Sequence, residues 1–351
     1  MSPIKVAYLI EQCWHRVPGG TAVATSNLAE EMCRLEGIDL VGIAANHKKN
    51  PKKPIPENME IINSKLPRQI LYEMWNRFNA PKVENIVKSI DLVHASGGAI
   101  PSTDLPLVAT IHDLSWREQH DWFPARGKRF AETWLDKARK AERIICPSQR
   151  TFKDLVKAGF DEQIIRVVPL GVATRKVCEE QVEGLLEKNS ISTPFVLWVG
   201  TIEPRKNIPT LLQAMQQLPE IPLVLVGPKG WESDLQSAIE PIGERVKIIG
   251  EVDEATKHTW YKAASVFCFP SLMEGFGLPI AEAMSHGTPV VTSSTTATSE
   301  VAGDAALLID PKSADAIAES IKEILGKPEI AKELSKKGLE RAKKMTWENT
   351  A

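Results

Sequence analysis

The chain is short of several things that would mark particular protein classes. In 351 residues it has only three tyrosines and five cysteines. Cys13, Cys33, Cys146, Cys178 and Cys268 are scattered, and no two stand at metal-ligand or redox spacing. A disulfide framework and a zinc module are therefore not expected, and the pattern fits a reducing cytoplasm. No apolar run approaches the length of a membrane span, and the first ten residues lead straight into a strand pattern, so neither a span nor a cleavable leader is expected. The formal net charge is -2, which leaves no basic excess for a nucleic-acid partner. A full Gly-x-Gly-x-x-Gly fingerprint is missing too, and this counts against a nicotinamide dehydrogenase.

What is there is an ordinary globular composition, 43% hydrophobic and 25% charged, with length enough for two domains. The first half is mildly basic and the second mildly acidic. That split points weakly to an acidic acceptor or an anionic membrane surface. Apolar strand runs at 4–10, 40–44, 91–95, 107–111, 143–147 and 164–168 alternate with helix patterns at 21–34, 69–90, 125–143 and 149–158. The segment 46–56 is basic and proline-rich and reads as a mobile surface loop. The helix at 125–143 is rich in Arg and Lys, with Phe130, Trp134 and Leu135 on its apolar side. Such a helix could rest on an anionic membrane, although a packed helix with a solvated basic face is the commoner case. Residues 173–193 turn polar and read as a linker with one short helix. Strand runs at 195–200, 223–227, 246–249, 266–269, 289–292 and 305–309 then alternate with helices at 207–218, 256–264, 314–325 and 329–345. The expectation is α/β, with two doubly wound Rossmann-like domains at 1–172 and 194–351.

Three loops carry the chemistry. The first strand is followed by Pro18-Gly19-Gly20 and a helix, an opening that suits close approach to a phosphate or an equally well a tight turn. The strand at 107–111 delivers His112 at its carboxyl end, where side chains of a parallel sheet face a ligand. Gly200-Thr201-Ile202-Glu203-Pro204-Arg205-Lys206 follows the first strand of the second domain. Arg205 can fork onto phosphate oxygens and Lys206 adds a point charge. The longest pattern is Glu274-Gly275-Phe276-Gly277-Leu278-Pro279-Ile280-Ala281-Glu282. Its glycines let backbone approach a ligand, and the following helix N-terminus suits an anion. Carboxylates beside such a site accept hydrogen bonds from hydroxyls rather than hold phosphate. Together they suggest a sugar nucleotide.

The Glu–seven residues–Glu spacing, Glu203-Pro204-Arg205-Lys206, the His112 strand end and the Gly19-Gly20 loop occur in one order that resembles the retaining glycosyltransferases of family 4. The resemblance covers most of the chain. It implies the GT-B architecture, two Rossmann-like domains facing an interdomain cleft, retention of anomeric configuration, and no metal or other cofactor. It implies catalytic duties for His112, Arg205, Lys206 and Glu274: His112 at the donor sugar, the two cations on the diphosphate, Glu274 on the sugar hydroxyls. It implies donor contacts from Gly19, Gly20, Gly200, Gly275, Phe276, Gly277 and Leu278, with Glu282 on the ribose and Val252 beside the base. Thr201 stands where some relatives carry Arg, which passes that duty to Arg205.

The neighbourhood of His112 looks like relatives that move mannose in cell-envelope polysaccharide synthesis, so GDP-mannose is the favoured donor. A glycan or lipid-linked molecule would be the acceptor, and the location cytoplasmic or peripheral at the inner face of a membrane. The alternatives are a nucleotide-sugar epimerase of the same architecture and a non-catalytic nucleotide-sugar-binding protein. In the family a final helix usually continues past a Trp-Glu such as Trp347-Glu348 and returns to the first domain. With the chain ending at Ala351, that helix is expected to be cut or short.

Overall fold

A computed structural model describes residues 2–118, 122–123, 125–230 and 235–351. The chain divides into two units, 1–171 with 347–351, and 172–346. The first unit runs β1 (Ile4–Leu9), α1 (Gly19–Met32), β2 (Ile38–Ala44), β3 (Glu60–Asn63), α2 (Arg68–Phe78), β4 (Leu92–Ala95), β5 (Leu107–Thr110), α3 (Ser115–Glu118), α4 (Ala125–Ala138), β6 (Arg143–Cys146), α5 (Gln149–Lys157) and β7 (Ile165–Val167). Among the described residues its sheet has seven strands in the order β3-β2-β1-β4-β5-β6-β7, all parallel. The strand order reverses between β1 and β4, and a crevice opens at the carboxyl ends of strands at such a switch.

The second unit runs α6 (Glu179–Asn189), β8 (Val196–Val199), α7 (Ile208–Gln216), β9 (Leu223–Val226), α8 (Gln236–Ile239), β10 (Val246–Gly250), α9 (Glu254–Ala263), β11 (Val266–Phe269), α10 (Leu278–Ser285), β12 (Val290–Ser293), α11 (Ala297–Ala302), β13 (Ala306–Ile309), α12 (Ala314–Gly326) and α13 (Pro328–Ala342). Its described strands form a parallel sheet ordered β10-β9-β8-β11-β12-β13, with the switch between β8 and β11. The central strands β8, β9, β11 and β12 are buried along their whole length, as expected for strands covered on both faces. The last helix, α14 (Trp347–Thr350), belongs to the first unit, where the Thr350 hydroxyl donates to Pro169 O at 2.9 Å.

Several local expectations are corrected. The helix expected over 69–90 stops at Phe78, because Asn79 is left-handed (φ 50°) and Pro81 has no N–H to continue the ladder. The helix expected over 125–143 stops at Ala138. There Trp134 and Leu135 are buried, and Phe130 stacks on Tyr72 at 5.9 Å, so the apolar side is committed to packing. The segment 46–56 is tied down: Trp14 Nε1 donates to Lys49 O at 2.8 Å, Lys52 N to Cys13 O at 2.8 Å, and Ser26 Oγ to Pro54 O at 2.6 Å. The short helix expected within 173–193 is α6, and it packs against α9, so the stretch belongs to the second unit. Strand β3 was not anticipated, since its four residues Glu-Ile-Ile-Asn lie half-exposed at the sheet edge and lack the apolar run of the central strands.

Candidate active site

In the second unit the loop after β8 and the loop after β11 lie side by side, because their strands flank the switch point. Leu272 N donates to Arg205 O at 2.8 Å, which joins them through backbone. Asn207, left-handed at φ 58°, adds side-chain bonds to Pro270 O at 3.1 Å and Pro311 O at 2.6 Å. The side chains then converge. Arg205 Nη1 donates to Glu274 Oε2 at 2.9 Å and to Met273 O at 3.1 Å; Lys206 Nζ donates to Glu274 Oε1 at 2.7 Å. Arg205 Nε also pairs with Glu203 Oε1 at 2.5 Å, and Lys206 Nζ lies 4.8 Å from the centre of the Phe269 ring.

Glu203, Lys206 and Glu274 are buried. Burial by itself raises the Glu274 carboxyl, but Arg205 and then Lys206 outweigh it and hold the group at about 2. Burial lowers Lys206, and neighbouring Arg205 adds to this, while Glu274 and Glu203 oppose it. The outcome is Arg205 and Lys206 held in place over a carboxylate that stays ionised down to about pH 2, an arrangement ready to receive an anion without reorganisation.

Backbone demands shape the same place. A Cβ on Gly227, itself at φ +138°, would lie 1.9 Å from Gly200 O, so the turns after β8 and β9 press together and neither residue type nor conformation can change there cheaply. Gly277 (φ +109°) precedes α10, where a Cβ would crowd Thr298 Cγ2 at 3.1 Å. At the opening of α10 the Leu278 N–H has no partner within the helix, Pro279 has no N–H, and Ile280 N donates to Gly277 O at 2.9 Å.

Glu282 lies within α10 and takes both its side-chain bonds from α9: Lys257 Nζ to Oε1 at 2.8 Å and Tyr261 OH to Oε2 at 2.8 Å. Val252 stands half-exposed in the turn between β10 and α9, the helix that supplies both donors.

The first unit holds Gly19, Gly20 and His112. Gly19 (φ +61°) begins α1 and has open space where a Cβ would be. His112 follows β5, and its Nε2 lies 3.0 Å from Ser96 O. A carbonyl only accepts, so Nε2 carries the proton in the neutral ring and Nδ1 keeps a free lone pair. Burial lowers the pKa of His112, partly offset by the Ser96 backbone bond and Asp113. Gly97, after β4, lies between this ring and α1: a Cβ there would meet His112 Cδ2 and Thr21 Cγ2, each at 3.2 Å. The glycine loop and His112 are thus brought together across a residue that no motif marks.

Glu11, just past β1, is another group that motifs did not reveal. It is fully buried, and its Oε2 accepts from Ala45 N at 2.8 Å and from His47 Nε2 at 2.9 Å. Its place at a strand's carboxyl end was the one available signal.

Two families account for nearly all of this chain. Residues 186–341 match Glycosyl transferases group 1, and residues 18–176 match Glycosyltransferase Family 4. The chain is also 35% identical over 255 residues to the O-antigen chain mannosyltransferase B of Escherichia coli, covering 69% of this chain and 67% of that one. The chain belongs to family 4 of the glycosyltransferases. This glycosyltransferase is 29% identical over 277 residues to the serotype-specific mannosyltransferase WbdA of Escherichia coli, which covers 72% of the chain but only 33% of WbdA. Its fold is GT-B. The sucrose-phosphate synthase of Thermosynechococcus elongatus superposes with a TM-score of 0.78 at 22% identity, over 99% of this chain and 96% of that one. Anabaena HepE in complex with UDP and glucose superposes with a TM-score of 0.73 at 19% identity, over 98% and 95%.

Proposed function

We propose that the glycosyltransferase moves a hexose, mannose in first place, from a nucleoside diphosphate sugar to a glycan or lipid-linked acceptor with retention of configuration. The observation that carries this is the Arg205–Lys206–Glu274 cluster at the carboxyl ends of β8 and β11. The leaving nucleoside diphosphate gains negative charge as the glycosidic bond breaks, and two cations already in place stabilise that charge in the transition state. In this reading the cations do the work a metal does elsewhere. Glu274 keeps them aligned and can accept from a sugar hydroxyl, Glu282 accepts from the ribose, and the α10 N-terminus receives phosphate oxygen. His112 takes part in transfer through its Nδ1 lone pair. The acceptor proton goes to an oxygen of the departing diphosphate.

Mannose is favoured because the relatives include an O-antigen chain mannosyltransferase and a serotype-specific mannosyltransferase; HepE, which shares the fold and was solved with UDP-glucose, supports a nucleoside diphosphate sugar as the kind of donor. Peripheral membrane contact would rest on the exposed basic residues of α4, since its aromatic residues are packed inside.

Thermal unfolding with UDP, GDP, ADP and dTDP, and with their sugar conjugates, tests the donor site. The native state should gain about 2.7 kcal/mol at a hundredfold excess over Kd for one nucleotide, and Glu282→Ala should lose most of that gain. The selected donor then enters a transfer assay, with NMR of the product reporting the anomeric configuration. A folded protein that responds to no nucleotide would remove the proposal.

A further inference from the structure

Glu282 is unusual among the acceptors of the site in how completely one neighbouring helix holds it. Each carboxylate oxygen receives one donor from α9: Lys257 Nζ on Oε1 and Tyr261 OH on Oε2, both at 2.8 Å. Lys257 is itself steadied by Glu254 Oε2 at 2.9 Å, three residues earlier on α9. An ionised carboxylate accepts about four hydrogen bonds, so one lone pair remains on each oxygen. Two lone pairs side by side match two vicinal hydroxyls.

α9 is in turn fixed against α10 and the following turn. Thr288 Oγ1 donates to Tyr261 O at 2.5 Å, and His258 Nδ1 lies 2.7 Å from His286 Nε2 at the end of α10. Within α10, Ser285 Oγ donates to Glu282 O at 2.7 Å. At its own start α9 is capped by Asp253, whose Oδ1 accepts from Thr256 N at 2.8 Å, directly after Val252. One rigid helix therefore begins beside the residue assigned to the base and ends its first two turns on the residue assigned to the ribose.

We infer that Lys257 and Tyr261 are positioning residues that lock the Glu282 carboxylate in the plane of a ribose 2′,3′-diol, and so make the enzyme select ribonucleoside over deoxyribonucleoside diphosphates. This rests on the proposed donor reading of Glu282. A carboxylate held by only one donor, or by none, can rotate about its last bond. It then satisfies one hydroxyl nearly as well as two, and the penalty for a missing hydroxyl falls. Tyr261 is fully buried and its phenol is pushed far up by burial and then by Glu282, so it stays a proton donor; charged neighbours Glu282 and Glu254 outweigh burial to keep Lys257 protonated.

The test is calorimetric titration with whichever of GDP, UDP and ADP binds best, and with its 2′-deoxy and 3′-deoxy forms. The proteins are the unmodified enzyme, Tyr261→Phe, Lys257→Met, Glu282→Gln and the double variant Tyr261→Phe/Glu282→Gln. The unmodified enzyme should prefer the ribose form by about tenfold or more, as expected for hydrogen bonds to a charged group. Tyr261→Phe keeps the ring and should cut that preference about threefold, while affinity for the deoxy forms stays the same. Loss through general loosening would weaken both. In Glu282→Gln the preference should be nearly gone, and adding Tyr261→Phe should change nothing more. If Tyr261→Phe and Lys257→Met both keep the full preference while Glu282→Gln loses it, the inference is overturned and the donor reading stands. If Glu282→Gln also keeps it, the ribose role of Glu282 falls first. Should Lys257→Met not fold, the Tyr261→Phe cycle decides alone.

Discussion

The two units solve a similar problem with different means. In the second unit three motif residues bond one another: Arg205 and Lys206 both end on Glu274, from loops 68 residues apart in the chain, while Glu282 is held by two residues of α9 that no motif marks. In the first unit the motif residues bond strangers. His112 leans on Ser96, and Gly97 spaces it from Thr21. A charged cluster that is its own partner announces itself in sequence, because each member must be a strong donor or acceptor. A site built from backbone carbonyls and glycines does not, since any residue supplies a carbonyl. The comparison teaches that the legible part is the set of motif residues that are one another's ionic partners.

The sharpest way to break that contrast is to remove the shared carboxylate. Glu274→Gln leaves buried Lys206 without its carboxylate partner and Arg205 with Glu203 alone. We expect kcat for transfer to fall about 10²–10³-fold. We expect the second unit to lose about 3–5 kcal/mol in denaturant unfolding, as for other broken buried pairs. Part of the lost stability should return when nucleoside diphosphate is added. Unchanged stability would mean that the cluster is far more solvated than its burial indicates.

His112→Ala probes the first unit. Transfer should drop by about 10²-fold, while nucleotide affinity measured by calorimetry stays within a factor of two, roughly the scatter of a single weak contact. A large loss of nucleotide affinity would show that the roles of the two sets of residues are not separable in this way.

A pair of glycines compares the backbones. Gly227→Ala should cost about 3 kcal/mol or more in thermal unfolding, because the new Cβ would strike a carbonyl 1.9 Å away at a positive φ. Gly19→Ala, also at positive φ but with nothing within 4 Å, should cost only about 1 kcal/mol. Equal costs would show that the contact between Gly227 and Gly200 relaxes.

The last comparison is in acid. Burial holds His15 and His94 of the first unit and His286 of the second down at about 4 from 6.5. The unfolded chain binds those protons first, so stability is full above pH 6.5 and falls towards pH 4. Glu274, at about 2 against 4.5 unfolded, adds stability that is present above pH 4.5 and lost on the way down to pH 2. The lower step belongs to the second unit, and Glu274→Gln should erase it from an acid titration followed by tryptophan fluorescence.

The alternation of buried strands and helices was readable along most of the chain, and with it the α/β class. The exceptions have physical causes. β3 is an edge strand with little apolar signal, and the helix expected over 69–90 runs past Asn79 and Pro81, where the proline is a stop that the sequence itself displays. The candidate site residues could be named from local patterns, but apart from the Arg205–Lys206–Glu274 set their partners could not. Nothing near Glu282 in sequence points to Lys257 or Tyr261, which stand 25 and 21 residues away and meet it only because α9 packs beside α10.

By itself the amino-acid sequence determined which chemical groups this glycosyltransferase has to offer and at which strand ends they emerge. Short-range rules govern both: side-chain type, helix starts and stops, and glycine where backbone must come close. Only the tertiary structure decided which groups face each other. The pairing of Glu274 with two cations, the grip of α9 on Glu282, the pressing of Gly227 on Gly200 and the return of α14 to the first unit all depend on strand order. Strand order is set by long-range packing of two sheets' worth of buried side chains, and no local stretch of sequence contains it.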